Sequence, residues 1–229
     1  MSEAVAARRK TGLFGRRKGK KLRAHHQDLM EHALPGLAVD VSARIDPIAL
    51  FGPVRGAALW LEIGFGGGEH LVTLAQNVGA VIGCEPFVNG VAKLLAEIER
   101  HGLDNLRVYA GDAIAVIDAL PQGALAGVYM LYPDPWPKRR HRKRRLFTGA
   151  FLRRLARAMA PGAELRFATD IDDYAGWALA RVAQQSAVVW SPQSAADWLA
   201  PWPGWSSTRF EKRALKAGRR PVYFTFRRA

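Results

Sequence analysis

Apolar residues along this chain gather in short dense runs, separated by segments with a helical spacing of apolar positions. From position 58 the alternation is regular. Runs at 58–63, 80–84, 106–109, 125–132 and 163–168 predict buried parallel strands. The segments 67–77, 87–101, 113–120, 146–159 and 172–186 predict helices between and after them, with Pro161-Gly162 as a helix stop. Five successive strand–helix units argue for a doubly wound α/β sheet. The C-terminal part differs: 187–190 and 222–226 read as strands around the Trp- and Pro-rich stretch 197–205, which fits an antiparallel pair closing the sheet edge. Residues 1–26 are basic and lack an apolar period, so they read as a mobile arm. Residues 27–50 hold a short helix and a connector through Pro35, Gly36 and Pro47. The organisation expected is therefore a basic arm, 1–26, and one domain, 27–229.

Composition narrows the class. Of 229 residues 49% are hydrophobic and 10% aromatic, too apolar for a disordered chain. No apolar run approaches the roughly 18 residues of a membrane-spanning helix, and the basic start lacks the apolar stretch of a secretory signal. A single cysteine, Cys84, excludes an intrachain disulfide framework or a zinc site built on several thiolates. Cys84 falls in a buried strand and reads as a core residue. His25, His26 and His32 have no Cys or acidic partners at metal-ligand spacing, so no metal is expected. These features suit a soluble protein of a reducing compartment, the cytoplasm, and leave monomer and homodimer equally open.

Charge changes the picture more. The formal net charge is +14, but residues 1–23, 138–157 and 207–229 hold 27 Lys/Arg and two acids, a net +25. The remaining 163 residues carry −11. An acidic body with three basic segments suits a polyanion, with nucleic acid the favoured partner.

The ligand end of an open α/β sheet lies at the carboxyl ends of its strands. The first strand runs into Gly64-Phe65-Gly66-Gly67-Gly68, where small residues let the backbone turn and approach a ligand closely. Dinucleotide oxidoreductases share such a loop. Here, however, Glu62, Glu85, Asp112 and Asp134 stand at four successive strand ends. That acidic rim would repel a pyrophosphate and suit a cation such as S-adenosylmethionine, with Glu85 placed for ribose hydroxyls and Asp112 for the adenine edge. Helix capping alone is the other reading of Asp112.

The loop after the fourth strand is Tyr132-Pro133-Asp134-Pro135-Trp136-Pro137-Lys138. Three prolines fix its backbone, so an acid and an indole are held rigidly at the sheet mouth. Trp136 offers a face for a base, a contact worth roughly 1–3 kcal/mol, and Asp134 can accept from a guanine's N1–H and exocyclic amine. A polycation follows at once: Lys138, Arg139, Arg140, His141, Arg142, Lys143, Arg144 and Arg145. Asp170 ends the fifth strand on the same rim. Thr208, Arg209, Phe210 and Glu211 offer a hydroxyl, a guanidinium and a carboxylate ahead of the basic tail.

These strings together closely resemble the tRNA (guanine-N7-)-methyltransferases over roughly residues 16–226. The Pro-Asp-Pro-Trp loop with its basic extension carries most of the specificity. Ile171 departs from the family's usual Trp, and Gly83-Cys84-Glu85-Pro86-Phe87 departs from its commoner second-strand pattern. The resemblance implies a Rossmann-like, S-adenosyl-L-methionine-dependent fold with a mostly parallel seven-stranded sheet and an antiparallel last strand. It also implies methyl transfer to N7 of a guanosine at position 46 in the tRNA variable loop. By the same resemblance Glu62, Gly64, Gly66, Glu85, Asp112 and Asp134 contact the cofactor, and Asp134 is the catalytic residue. Lys138, Asp170, Thr208, Arg209, Phe210 and Glu211 contact the substrate. The run Arg140, His141, Arg142, Lys143, Arg144 and Arg145 contacts RNA, and Arg16-Arg17-Lys18-Gly19-Lys20 is similar to the family's basic N-terminal segment. Three other readings fit less well. An exocyclic-amine methyltransferase would carry a polar–Pro–Pro–aromatic loop, a dinucleotide oxidoreductase would meet the acidic rim, and a non-catalytic RNA-binding module leaves the strand-end acids unexplained.

Overall fold

A computed structural model describes residues 14–56 and 58–229. The strands are β1 (Leu59–Ile63), β2 (Ala80–Cys84), β3 (Leu106–Tyr109), β4 (Leu125–Leu131), β5 (Met159–Thr169), β6 (Val188–Val189) and β7 (Val222–Arg228). They form one seven-stranded sheet in the order β3-β2-β1-β4-β5-β7-β6. The pairs among β1–β5 are parallel, and β7 runs antiparallel between β5 and β6. The fold is thus α/β and doubly wound, with an antiparallel last strand. That last strand lies inside the sheet, and the two-residue β6 makes a short edge that offers little backbone for further pairing.

The principal helices are α1 (Glu69–Asn77), α2 (Val88–His101), α3 (Ala113–Ala119), α4 (Gly149–Ala158), α5 (Asp172–Ala183) and α6 (Arg209–Lys216). In α2, Val91, Leu94, Leu95 and Ile98 are buried at i, i+3, i+4 and i+7, the stripe a core-facing helix needs. Arg100 and His101 sit in its last turn, and Gly102 closes it at φ +61. Helix α4 opens on Thr148, whose side chain accepts from the Phe151 amide, and buries Phe151, Leu152 and Leu155.

Two apolar clusters cover the two faces of the sheet. One joins β-strand residues Leu59, Leu61 and Phe167 to α3, α4 and α5. The other joins Val81, Leu106 and Tyr129 to α1 and α2. Side-chain alternation along β1 therefore decides which residues meet which helices.

Two boundaries differ from expectation. Strand β5 begins at Met159, so Pro161 and Gly162 lie within it and do not end the preceding helix. The register between β4 and β5 shifts between Leu125 and Gly127, and Gly162 takes φ +74 in the irregular stretch. An irregularity in the pairing absorbs both residues. Of the arm expected over 1–26, residues 1–13 lie outside the described residues. Residues 24–26 belong to a helix, Ala24–Asp28. Residues 17–20 are tied to the start of α2: the Val88 amide donates to the Arg17 carbonyl (2.9 Å), the Gly19 amide to Asn89 Oδ1 (2.6 Å), and Asn89 Nδ2 to the Lys20 carbonyl (2.8 Å). Among the described residues no helix is long and apolar enough to cross a membrane.

Candidate active site

Strand order reverses between β1 and β4. The crossovers leave these neighbours in opposite directions and open a crevice at their carboxyl ends. A cavity of about 600 Å³ occupies it, lined among others by Gly64, Gly66, Glu85, Asp112, Asp134 and Trp136. That volume falls within the range of small-molecule sites.

The glycine loop is shaped by backbone need. Gly64, Gly66 and Gly68 take φ of +76, +60 and +89, which L side chains rarely adopt. The Gly66 amide donates to Glu85 Oε2 (2.7 Å), and the Phe87 amide to Oε1 of the same carboxylate (2.9 Å). A Cβ at Gly90 would collide with the Gly66 carbonyl, so the start of α2 packs directly on the loop. Burial raises the Glu85 carboxyl above the ordinary range, while the two amides pull it back. Asp112 Oδ1 caps α3 by accepting from the Ile114 amide (3.0 Å), and the residue also lines the cavity.

The loop after β4 is strained at both ends. Tyr132 and Trp136 are the non-glycine residues with positive φ among those described, at +50 and +43. Asp134 lies between them at the cavity mouth. Desolvation raises its carboxyl above the ordinary range although it stays open to solvent. The face of Trp136 is covered by the Arg144 guanidinium, 4.9 Å from the ring centroid, and Phe14 meets its edge at 6.4 Å. Arg144 also lies over Phe14.

Of the residues expected at the site, Gly64, Gly66, Glu85, Asp112, Asp134, Arg144, Arg209 and Phe210 line this one cavity. Others are not brought there. Glu62 is buried on the opposite face of β1 from Ile63, with Oε2 2.7 Å from His70 Nδ1. The pleat turns it away from the cavity that Ile63 lines. Asp170 pairs with Arg219 at 2.6 Å, outside the cavity lining. Thr208 is buried and caps α6 by accepting from the Glu211 amide. Glu211 is also buried, holding Trp205 Nε1 (2.7 Å) and the Tyr223 hydroxyl. Thr208-x-x-Glu211 is thus a capping signature legible in sequence.

The polycation divides likewise. Lys138, Arg140 and Lys143 are exposed, Arg139–Arg144 forming a short 3-10 segment. His141 meets the edge of Trp136, and Arg142 pairs with Asp173 at 2.5 Å. Arg145, expected to contact RNA, is instead buried, because its guanidinium is occupied by Pro135 and Asp173.

Sequence reasoning missed Phe14 and Tyr174, which also line the cavity. Nothing local marks Phe14. Tyr174 lies on the core face of α5, with its hydroxyl buried beside the Phe147 backbone. Cys84 lines the cavity floor, where burial pushes its thiol far up and keeps it neutral. Among the described residues no cluster of three or more His, Cys, Asp or Glu is arranged to hold a metal ion.

A family profile described as "Putative methyltransferase" matches residues 56–224. The tRNA (guanine-N7-)-methyltransferase of Nitrobacter hamburgensis is 48% identical, over 94% of this chain and 86% of that protein. The protein of the same name from Rhizobium meliloti is 47% identical over 100% of both chains. Among solved structures, an rRNA methylase from Streptococcus thermophilus has a TM-score of 0.52 at 9% identity, covering 76% of this chain and 87% of that one. A Streptococcus mutans protein solved with SAH has a TM-score of 0.50 at 8% identity, covering 91% and 100%. At such identities the structural likeness speaks to the fold.

Proposed function

Because the chain belongs to the tRNA (guanine-N7-)-methyltransferase family, and so methylates N7 of a guanine in tRNA with S-adenosyl-L-methionine as donor, we propose that Asp134 is its catalytic residue. We propose further that the guanosine is position 46 of the variable loop. The observation that carries the reading is the meeting of Glu85, Asp112 and Asp134 in one cavity that opens beside the basic segment 138–144.

The residues present fit the cofactor. Three carboxylates suit a ligand bearing an ammonium and a sulfonium, and open space beside Gly64 leaves room for close approach to the backbone. When bound, S-adenosyl-L-methionine supplies an electrophilic methyl group. Glu85 would hold ribose hydroxyls with the lone pairs its two amides leave free. Asp112 would meet the adenine edge, and Gly64 and Gly66 would contact the cofactor from the same cavity wall.

Guanine N7 has an in-plane lone pair and no proton to lose, so no general base is required. Positive charge develops on the purine, and Asp134 stabilises it at the cavity mouth while accepting from the base's N1–H and amine. Rate otherwise comes from alignment of the base, which Arg209 and Phe210 help to bound. Lys138, Arg140 and Lys143 bind phosphates, joined by the basic segment that precedes residue 24. Asp170, Thr208 and Glu211 act from behind this wall by holding Arg219, α6 and Tyr223. Cytoplasmic tRNA is the substrate pool that matches a basic, single-cysteine protein.

Incubation with labelled S-adenosyl-L-methionine and unmodified tRNA, followed by borohydride–aniline cleavage, tests the reading. Scission at the variable-loop guanosine is the expected result. Incorporated label with scission at another guanosine would refute the position, and label without scission would refute N7.

A further inference from the structure

The basic run after the Asp134 loop reads as a single RNA-binding surface, yet its last member does not face solvent. Arg145 is 2% exposed. Its Nε donates to the Pro135 carbonyl at 2.8 Å, Nη1 to the Asp173 carbonyl at 3.4 Å, and Nη2 to the Asp173 carboxylate. The guanidinium carbon lies 4.8 Å from the Tyr174 ring centroid and 5.1 Å from that of Trp177. Asp173 and Tyr174 belong to the first turn of α5, and Trp177 lies on the next turn. Every face of this cation is thus occupied by protein.

We propose that Arg145 is a positioning residue for methyl transfer, clamping the Asp134–Trp136 loop to α5. The proposal rests on the role given above to Asp134. The pinned carbonyl belongs to the Pro135–Trp136 peptide, which adjoins Asp134 and leads into the left-handed Trp136 at φ +43. A non-glycine residue holds that conformation only where its surroundings over-determine it. Pro135 and Pro137 limit the loop internally, and Arg145 ties it to the body of the protein. Only a planar guanidinium can reach the Pro135 carbonyl and Asp173 together while lying against two rings; an ammonium lacks the fork and the flat face. Arg142 strengthens the anchor by pairing with the other oxygen of Asp173 at 2.5 Å. The polycation therefore has two functions in one string, with phosphates met by its exposed members and the active-site loop held by Arg145.

The test compares Arg145→Lys with Arg140→Gln in the full-length protein. Single-turnover methylation is measured against tRNA concentration at several salt concentrations, and hydrogen exchange is followed across residues 131–138. Arg145→Lys should slow the chemical step about 10- to 100-fold, the cost of a small misplacement of reacting groups. Half-saturating tRNA and the salt slope of binding should stay at wild-type values, and the Tyr132 amide, held by the Ala168 carbonyl at the start of the loop, should exchange faster. Arg140→Gln should instead weaken tRNA binding and lower the salt slope by about one. Arg145→Lys with a lowered salt slope and unchanged loop exchange would make it a phosphate contact and overturn the proposal. If Arg145→Lys folds poorly, Asp173→Ala carries the test, because it leaves Arg145 in place and removes the carboxylate that anchors it. A slower step with a wild-type salt slope supports the clamp, and a wild-type rate overturns it. Loop exchange reads the clamp without methyl transfer, so a wrong assignment of Asp134 is seen separately, as unimpaired turnover in Asp134→Asn.

Discussion

Glu85 accepts a 2.7 Å hydrogen bond from the amide of Gly66, nineteen positions earlier in the chain. This bond joins the end of β2 to the glycine loop after β1 and sets the floor of the cavity. Gly90 seals the joint from the other side, since any Cβ there would strike the Gly66 carbonyl. Gly90→Ala should destabilise the protein by about 1–3 kcal/mol through overpacking. It should also weaken S-adenosylhomocysteine binding, read as a smaller ligand-induced rise in Tm. An unchanged Tm with full ligand protection would refute the close packing.

The acid limb of activity should report Asp134. Its carboxyl lies above the ordinary value of 3.8, through desolvation. The ionised form that stabilises charge on the base is therefore lost at higher pH than for a free aspartate. Rate under subsaturating tRNA should fall on that limb, and Asp134→Asn should remove most of the rate and flatten the limb.

Folding stability should respond with the opposite sign. For both Asp134 and Glu85 the folded value is raised above the unfolded one, so the folded state binds the proton more tightly. Each costs stability at neutral pH, and that cost is relieved as pH falls from the folded value through the ordinary values of 3.8 and 4.5. Asp134→Asn should therefore raise Tm slightly at pH 7 and have no such effect below both values, as calorimetry across pH will show.

Glu211 makes a different prediction. Its buried carboxylate holds Trp205 Nε1 and the Tyr223 hydroxyl. Glu211→Ala takes the carboxylate from both donors and should cost about 1–3 kcal/mol for the buried Tyr223 hydroxyl, with a smaller loss at the half-buried Trp205. Glu211→Gln keeps an acceptor and should cost less. Urea denaturation of the two variants separates them, and equal losses would show that the network is not what Glu211 maintains.

The field of the basic segments should appear in salt dependence. Binding of tRNA should weaken steeply with salt, by roughly 0.7 to 0.9 in log–log slope for each phosphate neutralised. S-adenosylhomocysteine binding inside the carboxylate cavity should change little. Equal slopes for the two ligands would contradict the separation of acidic body and basic segments.

Much of this was legible along the chain. The strand runs and the helical stripe of Val91, Leu94, Leu95 and Ile98 follow from local spacing, because burial of one face imposes a period on the sequence. The acids Glu85, Asp112 and Asp134 could be identified because strand ends recur at the same side of a parallel sheet. Pro161-Gly162 misled, since a dipeptide that ends a helix in isolation is also accommodated where strand pairing shifts register. Glu62 is a strand-end acid by the same reasoning as the others. One residue of pleat separates it from Ile63 and turns it to His70.

Fold class, family and the joining of an acidic sheet mouth to a basic run were all readable in the order of residues. These depend on composition, period and motif, which are local properties. Tertiary structure alone decided which members of each charged string do what. Thr208 and Glu211 became a helix cap and a buried anchor, Phe14 joined the cavity wall, and Arg145 turned inward to Pro135 and Asp173. Charge along a chain says nothing of direction. Whether a cation meets a phosphate or a carbonyl depends on the elements that fold against it, and for Arg145 those elements lie nearly thirty residues further along, in the first turns of α5.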